Sequence, residues 1–509
     1  MSQKTGNQKS VLHNMISSLL YHCCVICFGL ILPRLFLTAF GSELNGLDSA
    51  IKQVFSCLAL LEAGVGLASQ QAYYRPVAMD DRAGLNGIFS ANSYYYRRTG
   101  WIYAIATLGF ALAYPLLVQT VLPYGLVFAV ILIYGLPGIL SYFVQGRYRS
   151  FMEVVGKAYV VNYITTATLA VGNLLRVIAL LYCKNLLVVQ LTYCVPSLFQ
   201  IVLTVGYIRR HYPWLDGKCA PNLTALSQKN SVLLHQLSQM VFSNTDVIVI
   251  SSFCGFLQAS VYAVYMVFFS NVEKLFYAVA NSVSFRLGQL FHTDRRRFAA
   301  CYRLYQTLYT AVAFALFTAM ALFILPVITL YTNGVTDADY HRPLLVALFT
   351  AVNLLSCMKG PPNLVITYGG HFEATRRQAV WEMAINLGIT LCTVTRLGIA
   401  GCLTGTAAAL LYRYAALTLY ASRVVLRVSP WRSFLRLLVN SALCAAILFL
   451  IGLESCNGGG YLAVIGRGAL HGLWVLPVFL LANGLLDPQS VRWGWQACQK
   501  RFHGSERKE

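Results

Sequence analysis

The sequence is short of charge, and of acids above all. Of its 509 residues, 11% are Asp, Glu, Lys or Arg and only 18 are acidic, where a soluble domain carries about a quarter charged residues. Long polar stretches are missing too. The longest expected outer loop runs about a dozen residues, Tyr331 to Arg342, and the inner loops reach at most a few tens. These absences exclude a soluble globular enzyme, and any chemistry has to sit among helices. Paired cysteines are lacking as well: fifteen are scattered, mostly within apolar runs, and Cys24-Val-Ile-Cys27 has the C-x-x-C spacing without a second pair. No disulfide framework, metal site or cofactor is implied. Asn222-Leu-Thr224 fits a glycosylation acceptor but falls in a loop expected to be cytoplasmic, where the match means nothing.

What is abundant is apolar sequence, 57% of the chain. A helix needs about 20 apolar residues to cross the hydrocarbon. On that basis fourteen spans are expected, at 11–40, 46–72, 101–121, 122–145, 154–182, 185–208, 236–256, 258–285, 304–330, 343–367, 379–396, 399–422, 437–454 and 461–486. The first is too long for a signal-peptide core and is expected to stay as a membrane helix. The fold class is therefore all-α, a polytopic membrane protein.

The net charge of +21 does not point to nucleic acid, because the basic residues are dispersed among the loops. With the N-terminus inside, inner segments hold 29 of the 39 basic residues, while outer turns hold only Lys184, Arg342, Arg396 and Arg467. This bias places both termini in the cytoplasm. Tyr73-Tyr74 and Tyr94-Tyr-Tyr96 fall at inner helix ends, where an interfacial aromatic belt is expected.

Six basic residues remain inside spans, Arg34, Lys52, Arg176, Lys274, Lys359 and Arg413, with five acids, Asp48, Glu62, Asp246, Glu273 and Glu382. A charge near the bilayer centre costs ~3 kcal/mol on the insertion scale, so such groups face partners or a watery cavity. In the hairpin Gly29–Gly66, two apolar runs meet at the polar turn Gly41-Ser-Glu-Leu-Asn-Gly46. Lys52 and Glu62 lie ten residues apart there, too far to pair along one helix, so their partners are expected from elsewhere. In Ser356-Cys-Met-Lys-Gly-Pro-Pro-Asn-Leu364 the tandem prolines remove two backbone donors, so the tenth span is expected to kink or break beside Lys359. Glu382 and Asn386 share a helix face. Phe40-Gly-Ser-Glu…Val54-Phe-Ser56 can be laid against Cys254-Gly-Phe-Leu…Val267-Phe-Phe-Ser270. The gross plan is two pseudo-symmetric six-helix lobes, 1–225 and 226–425, followed by 426–509 with two more helices and a basic tail.

The stretch ILPRLFLTAFGSELNGLDSAIKQVFSCLALLEAGVG resembles the first hairpin of bacterial polysaccharide (oligosaccharide-lipid) flippases, a branch of the multidrug/oligosaccharidyl-lipid/polysaccharide exporter superfamily. The same family is resembled at Ser243-Asn-Thr-Asp246, at Gly369-Gly-His-Phe372, at Glu382…Asn386 and at Gly398-Ile-Ala-Gly401. The resemblance implies a non-enzymatic flippase in the bacterial cytoplasmic membrane. Such a protein moves a polyprenyl-phosphate-linked oligosaccharide from the inner to the outer leaflet by alternating access, for cell-surface polysaccharide biosynthesis.

On that reading Arg34, Lys52, Lys274 and Lys359 are expected to bind the substrate phosphates. Glu62, Asp246, Glu382 and Asn386 supply structural charge or couple transport to a cation or proton. The rival readings are a multidrug/cation antiporter of the same superfamily, whose cavity would be dominated by carboxylates, and an integral-membrane polymerase or glycosyltransferase.

Overall fold

The computed structural model describes residues 2–59, 66, 69, 72, 73, 76, 77, 79–118, 120–217, 219–222, 229–452, 460–490, 492 and 493, and every regular element among them is helical. The chain divides into two compact units, Met1–Ala263 and Val264–Glu509.

Unit 1 begins with α1 (Ser2–Leu58), followed by α2 (Arg82–Leu117) and α3 (Tyr124–Leu140). A π-helical turn, Ser141–Gln145, carries α3 into α4 (Gly146–Val154). Next come α5 (Ala158–Ile178), α6 (Leu186–Leu191) and α7 (Cys194–His211). The division between the units falls inside α8 (Lys229–Thr293).

Unit 2 continues with α9 (Arg295–Tyr331), α10 (Pro343–Met358), α11 (Gly360–Gly369) and α12 (Phe372–Leu397). It ends with α13 (Ile399–Tyr420), α14 (Trp431–Ile451) and α15 (Tyr461–Leu486). Ten helices among the described residues are long and apolar enough to cross a membrane, which makes this a multi-pass membrane protein. Ten is fewer than the fourteen expected for two reasons. Two of the ten, Cys24–Leu58 and Thr245–Tyr277, run through bends, and α12 and α13 are not among the ten, α12 carrying Arg376, Arg377, Glu382 and Arg396.

The bends answer the sequence match between residues 40–56 and 254–270. Gly41 has φ 79° and ψ −179°, and Gly255 has φ 82° and ψ 173°. This corner of backbone space is open essentially to glycine alone. Both glycines lie fourteen residues before a Phe-Ser pair, Phe55-Ser56 and Phe269-Ser270. The expected six-residue turn at 41–46 is thus a single-residue bend, and Ser42 to Gly46 already belong to helix.

Close packing near these bends needs small residues. A Cβ on Gly46 would lie 1.8 Å from the carbonyl oxygen of Phe256, and Asn45 Nδ2 donates to Ser260 Oγ at 2.7 Å. In unit 2, Gly401 and Gly405 sit one turn apart on α13, and their Cβ positions would collide with Thr393 and Thr390 of α12. This is the close approach that glycines four apart allow between membrane helices.

At the heart of unit 2 lies α9. Of its most apolar window 83% is buried, against 17% for α15, so α9 is wrapped by neighbours whereas α15 presents most of its surface outward. It packs against α10, α14 and α15. The expected interfacial tyrosines are not all at an interface: Tyr73 is 0% and Tyr96 2% exposed, while Tyr94 is 51% exposed. Tyr96 fills the space over Gly146, where a Cβ would stand 2.0 Å from its ring.

Candidate functional site

In unit 1 the cationic residues gather where α1, α3, α5 and α6 approach. Lys52 Nζ pairs with Asp48 Oδ2, one turn earlier on the same helix. This corrects the expectation that Lys52 finds its partner elsewhere: the spacing is the ordinary i,i+4 of a helix face. The lysine side chain is 42% exposed and the aspartate 4%, so the acid is buried while the ammonium reaches accessible space. Gln190 of α6 donates its Nε2 to Asp48 Oδ1 at 3.3 Å.

An aromatic wall continues from there. The Phe55 and Tyr134 rings lie 5.2 Å apart, and those of Tyr134 and Tyr193 4.9 Å. Arg176 of α5, 7% exposed, sets its guanidinium over the Tyr193 ring at 3.1 Å and its Nε 3.4 Å from Thr192 Oγ1. Tyr193 thus holds a buried cation by its ring face. Two cations, Lys52 and Arg176, accompany one carboxylate.

In unit 2 the centre is the break in the tenth span. Pro361 and Pro362 stand in the first turn of α11 and cannot donate to the carbonyls four residues back. The chain continues through Lys359 with helical angles, φ −69° and ψ −15°, so the element kinks and restarts at Gly360. The Cys357 carbonyl, left without Pro361's donor, accepts from Tyr309 Oη of α9 at 2.9 Å. The Ser356 carbonyl accepts from Tyr277 Oη of α8 at 3.1 Å. Buried backbone acceptors in a membrane need such substitutes.

Beside this kink, Lys359 Nζ lies 3.8 Å from Glu382 Oε1, and Arg413 Nε lies 3.2 Å from Glu382 Oε2. Arg413 also donates Nη1 to the Thr375 carbonyl at 3.2 Å. The exposures grade outward: Glu382 10%, Arg413 13%, Lys359 29%. Here two cations share one carboxylate. Glu273 accepts from Ser356 Oγ at 2.8 Å.

Of the remaining candidates, Arg34 is half-buried on the first arm of α1 and Lys274 is exposed, one residue past Glu273 on α8. Asp246 accepts from Tyr262 Oη at 3.0 Å. Asn386, though on the Glu382 face, turns its Nδ2 to Thr406 Oγ1 of α13 at 3.0 Å. Glu62 lies outside the described residues. Among the described residues, no three His, Cys, Asp or Glu gather in a way that could hold a metal ion.

Sequence reasoning missed three things. The Asp48–Lys52 pair was legible from its spacing. The partnership of Arg413 with Glu382 was not, since the two residues sit on different helices. The ion pair of Arg436 with Asp487, 2.7 Å long and 5% and 3% exposed, was obscured because Arg436 precedes the span expected at 437–454, whereas α14 already begins at Trp431.

No protein-family profile matches the sequence, and no curated protein sequence does. Solved structures do match in fold. The inward closed conformation of the lipid II flippase MurJ is 15% identical, with a TM-score of 0.67 over 91% of this chain and 98% of that one. An inward-facing multidrug resistance MATE family transporter of the MOP superfamily is 13% identical, with a TM-score of 0.60 over 86% and 98%. A MOP superfamily transporter from Pyrococcus furiosus, whose binding pocket is described as of reverse polarity, is 14% identical, with a TM-score of 0.56 over 83% and 97%. At these identities the likeness is one of architecture, and the chain has the fold shared by these flippases and transporters.

Proposed function

We propose that the protein is a transporter that flips a lipid-linked oligosaccharide from the inner to the outer leaflet of a bacterial cytoplasmic membrane by alternating access. The observation that carries this reading is the charge ratio of the two membrane-embedded clusters. Glu382 holds both Lys359 and Arg413, Lys52 pairs with Asp48 while Arg176 lies over the neighbouring Tyr193 ring, and in each cluster the lysine is the most open member. An excess of partly open ammonium and guanidinium groups suits a phosphate, which charge-assisted hydrogen bonds hold about twice as strongly as neutral ones. A drug-cation exporter needs the reverse ratio. The fold likeness to a lipid II flippase supports a phosphate-bearing lipid substrate.

Lys52 and Lys359 are the leading phosphate contacts, with Arg34 and Lys274 as further ones, and the tyrosines beside Lys52 offer faces for sugar. Asp246 and Glu382 are the candidates for coupling transport to a cation or proton. The matched bends at Gly41 and Gly255 support a duplicated pair of lobes, 1–225 and 226–425, as the moving parts, and both termini lie in the cytoplasm.

The test is reconstitution in vesicles, following the sidedness of a polyprenyl-diphosphate oligosaccharide with wild type, Lys52→Ala, Lys359→Ala and Arg34→Ala. Wild type is expected to equilibrate the lipid and the lysine variants to slow it. Wild-type rates in all three variants overturn the assignment of the binding residues. Absence of flipping by wild type, with export of a cationic dye instead, overturns the substrate.

A further inference from the structure

Unit 2 carries a cavity of about 390 Å³, lined in part by Pro362 of the kinked span and by the Arg436–Asp487 ion pair. It lies at the end of the bundle where α9 and α14 begin and α13 and α15 finish. Its polar lining includes Arg303 and Gln306 from α9, Arg432, Ser433 and Arg436 from α14, and Asp487 just past α15. Three guanidinium groups accompany one carboxylate, leaving an excess of two positive charges.

The three arginines differ in freedom. Arg436 is fixed against Asp487 at 2.7 Å, and its backbone carbonyl accepts from Asn440 Nδ2 at 2.7 Å. Arg303 and Arg432 are exposed, and among the described residues neither forms an ion pair. Arg303 directs Nε to the Ala299 carbonyl of its own helix at 3.4 Å, which leaves its terminal nitrogens as donors. Gln306 and Ser433 are joined by a 2.9 Å hydrogen bond that ties α9 to α14 across the cavity.

One backbone feature adds to the positive field. The first turn of the 21-residue α14, without a side-chain cap, supplies Arg432 and Ser433 to the lining, and a helix start attracts anions. Behind it, α13 runs into a π-helical turn, Ala421–Leu426, that closes on Arg427 in the left-handed region at φ 54°. Such turns often mark functional sites. Leu426, Val428, Ala299 and Pro362 supply apolar wall, with the small hydroxyls of Ser422 and Ser429 between them.

We propose that this cavity is a phosphate site for an amphiphile, with Arg303 and Arg432 taking the phosphate oxygens of an anionic glycerophospholipid and the apolar wall taking its glycerol end. Planar guanidinium groups suit phosphate geometry, and about 390 Å³ lies in the usual range for small-ligand sites. Lys52, Asp48, Lys359, Glu382 and Arg413 do not line it, and Pro362 is the one lining residue from the break beside Lys359, so the proposed lipid contact is distinct from those ion pairs.

The experiment uses the full chain in detergent, with native mass spectrometry of bound phosphatidylglycerol, phosphatidylcholine and soluble glycerol phosphate. Four proteins are compared: wild type, Arg303→Gln/Arg432→Gln, the single Arg432→Glu, and Arg296→Gln/Arg297→Gln as a control. The control removes two charges from the same end of the bundle without touching the cavity lining. Wild type and control are expected to prefer phosphatidylglycerol over phosphatidylcholine by tenfold or more. Both cavity variants, with unchanged elution and melting profiles, are expected to lose that preference to within twofold.

Displacement of phosphatidylglycerol by equimolar glycerol phosphate reassigns the same site to a soluble phosphate and overturns the lipid source. Equal loss of preference in control and cavity variants reduces the effect to surface charge and overturns the site, as does full preference in the cavity variants.

Discussion

Tyr309 Oη donates to the Cys357 carbonyl at 2.9 Å, the acceptor that Pro361 leaves without its helical partner. A side chain from the most buried helix of unit 2 thus completes the backbone of another helix where proline has interrupted it. The kink next to Lys359 is therefore held by a hydroxyl on α9.

Tyr309→Phe keeps the ring and removes the donor. Leaving a buried acceptor unpaired costs about 1–3 kcal/mol, so the variant is expected to unfold earlier by that amount in a denaturing-detergent titration. Unchanged stability would show that water or another donor serves Cys357.

The unit 2 cluster predicts an order of harm. Glu382→Gln strips both Lys359 and Arg413 of their acid, whereas Lys359→Gln leaves Arg413 paired at 3.2 Å. Removing one member of a well-buried pair costs about 3–5 kcal/mol, and partial exposure of Lys359 brings its share well below that. Thermal melts are expected to rank Lys359→Gln as milder than Glu382→Gln, and the opposite order would refute the shared-carboxylate arrangement.

Lys52 predicts a split between stability and transport. Because its side chain is 42% exposed, Lys52→Gln is expected to lower melting less than Glu382→Gln does. The same substitution is expected to slow translocation of a phosphate-bearing lipid about tenfold, the loss of one charge-assisted hydrogen bond. Lys52→Arg is expected to restore most of the rate, since it keeps the positive charge beside Asp48. Equal rates in wild type and Lys52→Gln would remove Lys52 from the substrate path.

The two glycine bends predict parallel behaviour. Alanine at 41 or at 255 must adopt angles that cost about 1–3 kcal/mol for any residue with a Cβ, and each variant is expected to lose stability in that range. Gly46→Ala is expected to be worse than either, because its Cβ would meet the Phe256 backbone at 1.8 Å and backbone cannot swing aside. Folded yield measured by fluorescence-detected size exclusion gives the order.

Part of this architecture could be read from residues alone. Apolar run lengths gave the helical membrane class, and Pro361-Pro362 gave the kink, since both depend only on local covalent chemistry. The glycine match between residues 40–56 and 254–270 was legible as a similarity between halves, and the structure turned it into bends that share backbone angles within 10°. The Asp48–Lys52 pair was also legible, because its i,i+4 spacing is local.

Charge partnership between helices was not legible. Which acid serves Lys359, that Arg413 shares it, that Arg436 is locked to Asp487, and that Tyr73 and Tyr96 are buried where an aromatic belt was expected all depend on which helix faces which. By itself the sequence determined where the chain is helical, where it must bend and that it lives in a membrane, because those follow from hydropathy, proline and glycine within a few turns. Tertiary packing alone decided which charges neutralise one another and which stay open. In lipid, a polar group takes whatever partner the neighbouring helix brings within about 3 Å, and that neighbour lies tens or hundreds of residues away in the chain.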